Sequence, residues 1–452
     1  MRIRTAAAIV AAAAIAALSV SRASAEALVL IEADTGKVLY AENATYPWYP
    51  ASLTKLMTLY VTLHSVKDGR FTLDSLLNVS QFASVQKPAK MGLKPGQQVT
   101  VDNALKMLMV RSANDIAIVI AEGVSGSVEK FSDYMNYAAA RLGMTQSSFV
   151  NPNGMPAEDQ ISSARDLAIL ARALIREFPE YDLYWRLPAI RFGAKTTQNY
   201  NKLIGRYPGA DGMKTGFICA SGFNLVASAT RKGRRLIAVV LGSASGGART
   251  AKAAQMLERG FNGAGLAWLA PSLGNVENLA VIDAAPPDMR ETICGSHRKK
   301  PASENEDDDE TVATQEDPNG NGQPQFKLSN LGPAAKTSAL LGPKVEAANP
   351  IEVYVGPSRK PAESQFISTR AKLNGTKKPA AVKPSRSTSV ETNQIAAAPP
   401  SQTAPAQNAA DAPQPWMSFA PTSNTPSTTE FAPGSATMPV PRPRPKPKLN
   451  GQ

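Results

Sequence analysis

Histidine is almost absent from this chain, which removes the commonest base of hydrolytic enzymes. Among 452 residues there are two histidines, His64 and His297. His64 lies within a predicted helix, and His297 borders the charged start of a low-complexity stretch. The HExxH pattern of zinc peptidases is missing as well. The sequence therefore offers no convincing base for a Ser-His-Asp triad, and a nucleophile in this chain needs a different base.

Cysteine is equally scarce, with Cys219 and Cys294 as the two examples and no CxxC pair. Two cysteines cannot build a structural zinc site on their own, because such sites have four protein ligands. In an oxidising compartment they can form one disulfide. Because Cys219 lies in an apolar, strand-like run, a buried free thiol is an equally good interpretation.

The N-terminus has the composition of a cleaved signal peptide, which we place at residues 1–25. A basic start, Met1-Arg2-Ile3-Arg4, precedes an apolar run over residues 5–20 and the small residues Ala23-Ser24-Ala25. A membrane anchor is the alternative, but the run is shorter than the roughly 20 residues that span a bilayer. We expect a mature chain starting near Glu26, secreted to the periplasm or cell envelope.

Proline marks the boundary between two kinds of sequence, since nine of the 35 prolines precede residue 270. Residues 26–265 show regular apolar patterns and are long enough for one substantial domain. We interpret residues 266–297 as a short connecting segment and residues 298–452 as a mostly disordered, low-complexity tail. A short apolar exception, Ile351 to Val355, is predicted to bind something or to form a strand.

The formal net charge of +12 points to an anionic partner. For an exported protein we expect no nucleic acid, and an anionic cell envelope fits the charge better. An ordinary solvated basic surface is the alternative. The terminal Pro-Arg-Pro-Lys repeats have no apolar face, so membrane association is expected to be peripheral at most.

Hairpins are predicted at both ends of residues 26–265. The first joins residues 27–31 to 37–40, and the second joins residues 223–230 to 235–241. Helices are predicted between and after them, at the positions 53–67, 103–110, 115–122, 163–178 and 248–259. The terminal strands can pair in one antiparallel sheet. The predicted class is α/β (α+β), with an antiparallel sheet flanked by helices plus a mostly helical lobe.

Ser52 and Lys55 stand three positions apart at the start of an apolar helix, and such positions share one helix face. A serine beside an amine held neutral can act as a nucleophile. Alone the pattern is weak, because Ser84 to Lys87 and Ser127 to Lys130 match it too. For an isolated match, a helix N-cap is the better interpretation of Ser52.

Two further motifs follow in order, Ser112-Ala113-Asn114 between two helices and Lys214-Thr215-Gly216 at the start of an apolar strand. This order is the signature of penicillin-binding proteins and serine β-lactamases. From about Ala27 to Ala267 the chain resembles the low-molecular-mass D-alanyl-D-alanine carboxypeptidases. The segments that also carry the resemblance include Lys94-Pro95-Gly96, Asn153-Gly154, residues 162–166 and residues 221–229.

The resemblance implies a penicillin-binding-protein or β-lactamase-like fold and an acyl-transfer reaction on D-alanyl-D-alanine. Ser52 would attack the peptide carbonyl, and Lys55 would accept its proton. Burial and the charge of Lys214 would lower the pKa of Lys55 enough to keep it neutral. Ser112 would relay a proton to the leaving amine, and Asn114 would bind a substrate amide.

The same resemblance assigns substrate binding to residues of a strand. The backbone N–H groups of Ser52 and Phe217 would form an oxyanion hole, and Gly216 would let the substrate approach closely. Lys214, the Thr215 hydroxyl and Arg249 would bind the terminal carboxylate; a surface arginine is the alternative for Arg249. Two acidic residues nearby, Asp115 and Asp211, are predicted to be structural.

Three other functions remain open. A class A β-lactamase would need a glutamate such as Glu158, but the asparagine expected after it is replaced by Ser162. A D,D-endopeptidase of the same superfamily would share fold and motifs, and a non-catalytic envelope-binding protein would act through the tail. We predict no cofactor or metal; the expected partners are peptidoglycan stem peptides and, as covalent inhibitors, β-lactam antibiotics.

Overall fold

A computed structural model describes residues 26–262, 273–296, 340–343 and 349–356. The predicted signal peptide, His297 and most of the predicted tail lie outside these ranges. The five strands of the main sheet are β1 (Ala27–Glu32), β2 (Val38–Glu42), β7 (Ala210–Ile218), β8 (Gly222–Arg231) and β9 (Arg234–Ser243). The shorter strands are β3 (Leu76–Asn78), β4 (Gln98–Thr100), β5 (Ala189–Phe192), β6 (Lys195–Gln198) and β10 (Ile351–Val353).

Nine α-helices occur in the described residues. They are α1 (Lys55–Lys67), α2 (Gln81–Ser84), α3 (Val101–Val110), α4 (Asn114–Ser125), α5 (Val128–Arg141), α6 (Ala164–Glu177), α7 (Leu183–Arg186), α8 (Gly246–Asn262) and α9 (Arg290–Cys294). A 3₁₀ turn, Ala51–Thr54, leads directly into α1.

The main sheet has the order β2-β1-β9-β8-β7, and all its neighbours are antiparallel. The predicted pairing of the terminal strands is confirmed, since β1 lies against β9 with Val29 opposite Val239. The apolar strand predicted to start at Lys214 is β7, but its predicted start is wrong. It begins at Ala210, so Lys214 lies in its middle.

Successive side chains of a strand point to opposite faces, and both faces of this sheet are buried. Leu30 and Ala238 belong to a cluster that packs against α8, whereas Val29 and Val239 join the core shared with the helical lobe. Helix α1 runs through that core, and every residue from Lys55 to Ser65 is buried. Because this helix has no solvent face, its sequence lacks separate apolar and polar sides.

Two helix starts differ from the prediction. Helix α3 was predicted to begin at residue 103, but it begins at Val101, and its cap is Thr100, whose hydroxyl accepts a bond from Asn103 N. Helix α5 was not predicted, and Ser127 caps it by accepting from Lys130 N. Ser127, one of the two alternative SxxK serines, is therefore a helix cap.

Residues 273–296, here called the C-terminal strap, lie against the main body rather than apart from it. Val276 and Ile293 are buried in the core. Arg165 donates to the carbonyls of Val276, at 3.1 Å, and Glu277, at 2.7 Å. At its far end the strap is bound by a disulfide between Cys294 and Cys219. The disulfide interpretation of the two cysteines is thus correct, and the free-thiol alternative is excluded.

Part of the predicted tail also packs on this body. Strand β10 pairs in parallel with β5, with Ile351 opposite Ile190, and Val353 is buried. Gly342 N donates to the Arg206 carbonyl at 2.8 Å. The prediction that the apolar segment from Ile351 forms a strand is confirmed. In the described ranges no helix has the length and apolarity needed to cross a membrane.

Candidate active site

Ser52 lies in the 3₁₀ turn that precedes α1, and its side chain caps neither element. The helix-cap interpretation of Ser52 is therefore wrong. Ala51, just before it, has a φ of 48°, in the left-handed region that residues with a Cβ rarely adopt. Gly154 packs against this turn so closely that a Cβ there would lie 1.9 Å from the Ala51 carbonyl oxygen. Strain of this kind is concentrated at functional sites.

Lys55 is completely buried beside Ser52. Its Nζ lies 3.0 Å from Ser52 Oγ, 2.8 Å from Asn114 Oδ1 and 2.5 Å from the Asn153 carbonyl oxygen. The predicted serine–lysine pair is thus within hydrogen-bond distance. The Asn153 carbonyl was not predicted, because the role of a backbone oxygen cannot be inferred from residue types. Only the Asn153-Gly154 motif had pointed to this segment.

Ser112 and Asn114 lie at the predicted break between α3 and α4. Ser112 is buried and has a φ of 58°, while Asn114 is the first residue of α4. The Asn114 amide nitrogen donates to the Lys87 carbonyl at 3.0 Å, and its oxygen accepts from Lys55. In this structure both ends of the Asn114 amide have protein partners, so its contact with a substrate amide stays a prediction.

Strand β7 passes directly beside the serine turn. A Cβ built on Gly216 would lie 3.0 Å from both Ser52 N and the Pro50 carbonyl oxygen. Such a contact is tighter than almost any real Cβ makes, which explains a glycine here. Residues 214–217 therefore form the strand wall of a cleft, and Ser52, Lys55 and Asn114 form its helical wall.

The side chains of the strand wall are nearly all buried. Lys214 and Thr215 are each 1% exposed, and Lys214 Nζ donates to the Thr215 carbonyl at 2.8 Å. The Thr215 hydroxyl is buried and has no hydrogen-bond partner among the described residues. Phe217 is partly buried, and its ring centre lies 4.3 Å from that of Phe223.

Arg249 is fully buried near the start of α8, so the surface-arginine alternative is wrong. Its Nη1 donates to the carbonyls of Gly216, at 3.4 Å, and Asn224, at 3.3 Å. The guanidinium also lies 5.6 Å from the centre of the Phe223 ring. Arg249 therefore adds positive charge directly next to the strand wall.

Three acidic residues that the sequence analysis considered, Asp115, Asp211 and Glu158, differ in their contacts and exposure. Asp115 accepts from the backbone of Met91 and Gly92, at 3.0 and 2.8 Å, and so holds the loop that also supplies the Lys87 carbonyl. Asp211 accepts from Ser228 and Thr230, each at 2.5 Å. Both contacts fit the predicted structural roles. Glu158 is exposed, unlike a glutamate that activates water inside a cleft.

His64 lies at the opposite end of α1, in a different cluster. Its Nε2 is 3.2 Å from Glu177 Oε2, and Tyr60 also donates to that carboxylate at 2.9 Å. Burial by itself would raise the pKa of Glu177, but bonds from His64, Tyr60 and Arg141 outweigh it and lower the pKa to about 2. The cluster anchors α1. No group of three or more potential metal ligands is found in the part of the chain that the structure describes.

The fold is that of the penicillin-binding proteins. Penicillin binding protein 5 from Haemophilus influenzae superposes with a TM-score of 0.51 at 34% identity, covering 53% of this chain and 71% of that chain. Penicillin binding protein 6B from Escherichia coli superposes with a TM-score of 0.50 at 36% identity, covering 51% of this chain and 75% of that chain.

The family follows from sequence. The D-alanyl-D-alanine carboxypeptidase model, Peptidase_S11, matches residues 13–245, and this chain belongs to that family. It is 37% identical to the D-alanyl-D-alanine carboxypeptidase DacF of Bacillus subtilis, over 53% of this chain and 62% of that protein. It is 31% identical to DacB2 of Mycobacterium tuberculosis, over 52% of this chain and 82% of that protein. The match to DacF thus spans less than two thirds of that relative.

Proposed function

We propose that this protein is a serine-type D-alanyl-D-alanine carboxypeptidase, which removes the terminal D-alanine from peptidoglycan pentapeptides. Ser52 attacks the carbonyl between the two D-alanines and forms an acyl-enzyme, which water then hydrolyses. The observation that carries this proposal is the buried Lys55 amine within 3.0 Å of Ser52 Oγ.

Two carbonyl neighbours orient the Lys55 amine. The Asn114 Oδ1 and Asn153 carbonyl oxygens can only accept hydrogen bonds, so each takes one N–H of the amine. A neutral amine held in this way has its lone pair left for the Ser52 hydroxyl. Complete burial disfavours the charged form of Lys55. Lys55 is then a base that can take the Ser52 proton.

The strand wall supplies hydrogen-bond donors that stabilise the negative charge formed during the reaction. Because Gly216 is packed against Ser52 N, the N–H groups of Ser52 and Phe217 lie on adjoining segments, as an oxyanion hole requires. Donors of this type stabilise the tetrahedral intermediate, and loss of one costs about 3 kcal/mol. Ser112 passes a proton between Lys214 and the leaving amine when D-alanine departs.

The terminal carboxylate of the substrate binds at Thr215, Lys214 and Arg249. The buried Thr215 hydroxyl has no partner among the described residues, which supports this because a carboxylate can supply the missing partner. Lys214 Nζ donates to the Thr215 carbonyl, and the buried guanidinium of Arg249 is 3.4 Å from the Gly216 carbonyl. A carboxypeptidase needs a carboxylate-binding site because the residue it removes carries the C-terminal carboxylate of the substrate.

Partners and location follow from the same proposal. The protein acts on peptidoglycan stem peptides in the periplasm or cell envelope, after removal of residues 1–25, and its membrane association is at most peripheral. A similar protein of Haemophilus influenzae is named penicillin-binding. A β-lactam presents a strained amide to the same nucleophile, so we expect it to acylate Ser52.

The test uses the full-length chain, because Ile351–Val353 form a strand with β5. The protein is incubated with pentapeptide muropeptides and with cross-linked dimers, and the products are identified by mass spectrometry. Release of free D-alanine is expected. Cleavage of the cross-link alone would show a D,D-endopeptidase. No product and no adduct with fluorescent penicillin would contradict the enzyme proposal and favour an envelope-binding protein.

A further inference from the structure

The only disulfide of this chain lies at the end of the strand wall. Cys219 follows β7 directly, two positions after Phe217, and it is bound to Cys294 of the C-terminal strap. The strap makes a second contact there, since Met289 N donates to the Ala220 carbonyl at 3.0 Å. A Cβ built on Gly222 would lie 3.3 Å from Met289 Sδ, so this contact is tightly packed. Residues 219–221, the β7–β8 turn, are therefore held from one side by the strap.

The other side of the same turn holds the segment that leads to Ser52. Trp48, which is buried, donates its Nε1–H to the Ser221 carbonyl at 3.0 Å. Asn224 Nδ2 donates to the Tyr49 carbonyl at 3.2 Å and to Ser221 Oγ at 3.0 Å. Residues 48 and 49 are thus bonded to the β7–β8 turn, four and three positions before Ser52.

The two proposed oxyanion donors, Ser52 N and Phe217 N, lie close in sequence to these contacts of the β7–β8 turn. Ser52 N belongs to the segment bonded through Trp48 and Tyr49, and Phe217 N belongs to the strand that ends at Cys219. The β7–β8 turn is bonded to both, and the disulfide fixes that turn covalently to the strap. The strap is in turn anchored in the core by Ile293 and by the bonds of Arg165 to Val276 and Glu277.

We propose that the Cys219–Cys294 disulfide is a positioning element of the active site. It fixes the spacing between the Ser52 and Phe217 N–H groups, so that the rate of Ser52 acylation depends on the oxidation state of the bond. The inference rests on the proposed function. Reduction by a dithiol takes two electrons: the reagent becomes a cyclic disulfide, and its two protons go to the Cys219 and Cys294 thiolates.

The expected effect follows from the sensitivity of acyl transfer to geometry. Displacing a catalytic group by about 1 Å costs on the order of 100-fold in rate, and complete loss of one oxyanion donor costs about 100- to 1,000-fold. Since the main sheet still pairs β7 with β8, opening the bond loosens the turn without removing the donor. We expect acylation to slow by about tenfold.

The test measures acylation of the full-length protein by fluorescent penicillin, resolved into a binding constant and a first-order acylation rate. The Cys219→Ser/Cys294→Ser double variant is compared with the oxidised wild type, well below either melting temperature. We expect the acylation rate to fall about tenfold, with little change in binding. Dithiol treatment should lower the wild-type rate to that of the variant and leave the variant unchanged.

Trp48→Phe tests the contact between the β7–β8 turn and the segment before Ser52. It removes the hydrogen bond to the Ser221 carbonyl and keeps the disulfide. We expect the same selective fall in acylation rate, even if the double cysteine variant does not fold. Equal acylation rates in the oxidised and reduced wild type would overturn the inference, whatever the rate of Trp48→Phe. An oxidised wild type that forms no adduct at all would instead overturn the proposed function, and the inference with it.

Discussion

The two walls of the cleft are built differently. On the helical wall, side chains bond one another directly, with the buried Lys55 Nζ between Ser52 Oγ and Asn114 Oδ1 at 3.0 and 2.8 Å. The strand wall contributes mainly backbone and charge, and its Gly216 lies against Ser52 N with no room for a Cβ. One wall is thus suited to move a proton, and the other to hold and polarise a substrate.

This difference between the walls predicts which property each substitution changes: acylation rate, substrate binding or stability. Changes to the helical wall remove the nucleophile or its base, so they should lower the acylation rate. Changes to side chains of the strand wall should weaken substrate binding first. Helix α1, which carries the helical wall, also has an anchor at its far end around Glu177, where a change should affect stability and leave the chemistry alone.

The largest effect is expected for Ser52→Ala. Without the hydroxyl no acyl-enzyme can form, so labelling by fluorescent penicillin and D-alanine release should both vanish while the circular dichroism spectrum is kept. Ser127→Ala is the matched control from another SxxK motif. It removes only a helix cap and should cost about 1 kcal/mol of stability with full activity. Residual labelling of Ser52→Ala would show another nucleophile.

Lys55→Met should lower the acylation rate about 1,000-fold, since general bases contribute roughly 100- to 10,000-fold. Methionine fills the buried space without a base, so the melting temperature should stay within a few degrees. Lys130→Met, at the exposed lysine of the Ser127 motif, is the control and should change nothing. Stopped-flow acylation measures both. A wild-type rate in Lys55→Met would rule out Lys55 as the base.

Thr215→Val should raise KM for a pentapeptide substrate about tenfold, with a smaller change in kcat. The reason is the loss of one hydrogen bond to a carboxylate, which contributes about 1.5–3 kcal/mol. Thr215→Ser keeps the hydroxyl and should restore most of the affinity. Steady-state D-alanine release gives both constants. An unchanged KM in the valine variant would remove Thr215 from the proposed carboxylate site.

Glu177→Gln is expected to change stability alone, and in a pH-dependent way. The pKa of Glu177 is lowered to about 2 from the ordinary 4.5, so its ionised form stabilises the fold above pH 4.5. That contribution is lost as the pH falls towards 2. The melting temperatures of variant and wild type should therefore differ at pH 7 and converge in acid. Glu158→Gln, at an exposed carboxyl, should show neither effect.

Local patterns predicted much of this architecture. The two hairpins were visible because burial imposes a period on strands. The helix after Ser52 was visible as a mostly apolar run, and the break at Ser112 as an interruption between two such runs. Helix α5 was missed although its buried residues, among them Phe131, Met135 and Ala138, recur with a helical period. The strand at Ile351 was found because it is the one apolar run in a polar stretch.

The site was predictable to the extent that it consists of side chains with distinctive chemistry. The Asn153 carbonyl, the contact between Gly154 and Ala51, and the burial of Arg249 depend on long-range packing, which no local pattern records. The same holds for the C-terminal strap. Cys219 and Cys294 were visible, but only their positions in the fold decided between a disulfide and free thiols.

The central claim is that Ser52 is the acylated nucleophile, and peptide mapping tests it most directly. The full-length protein is treated with penicillin, digested and analysed by tandem mass spectrometry. We expect one stoichiometric adduct, located on Ser52 in the peptide that contains Ser52-Leu53-Thr54-Lys55. An adduct on Ser84, Ser112 or Ser127, or no adduct under conditions in which D-alanine is released, would contradict it.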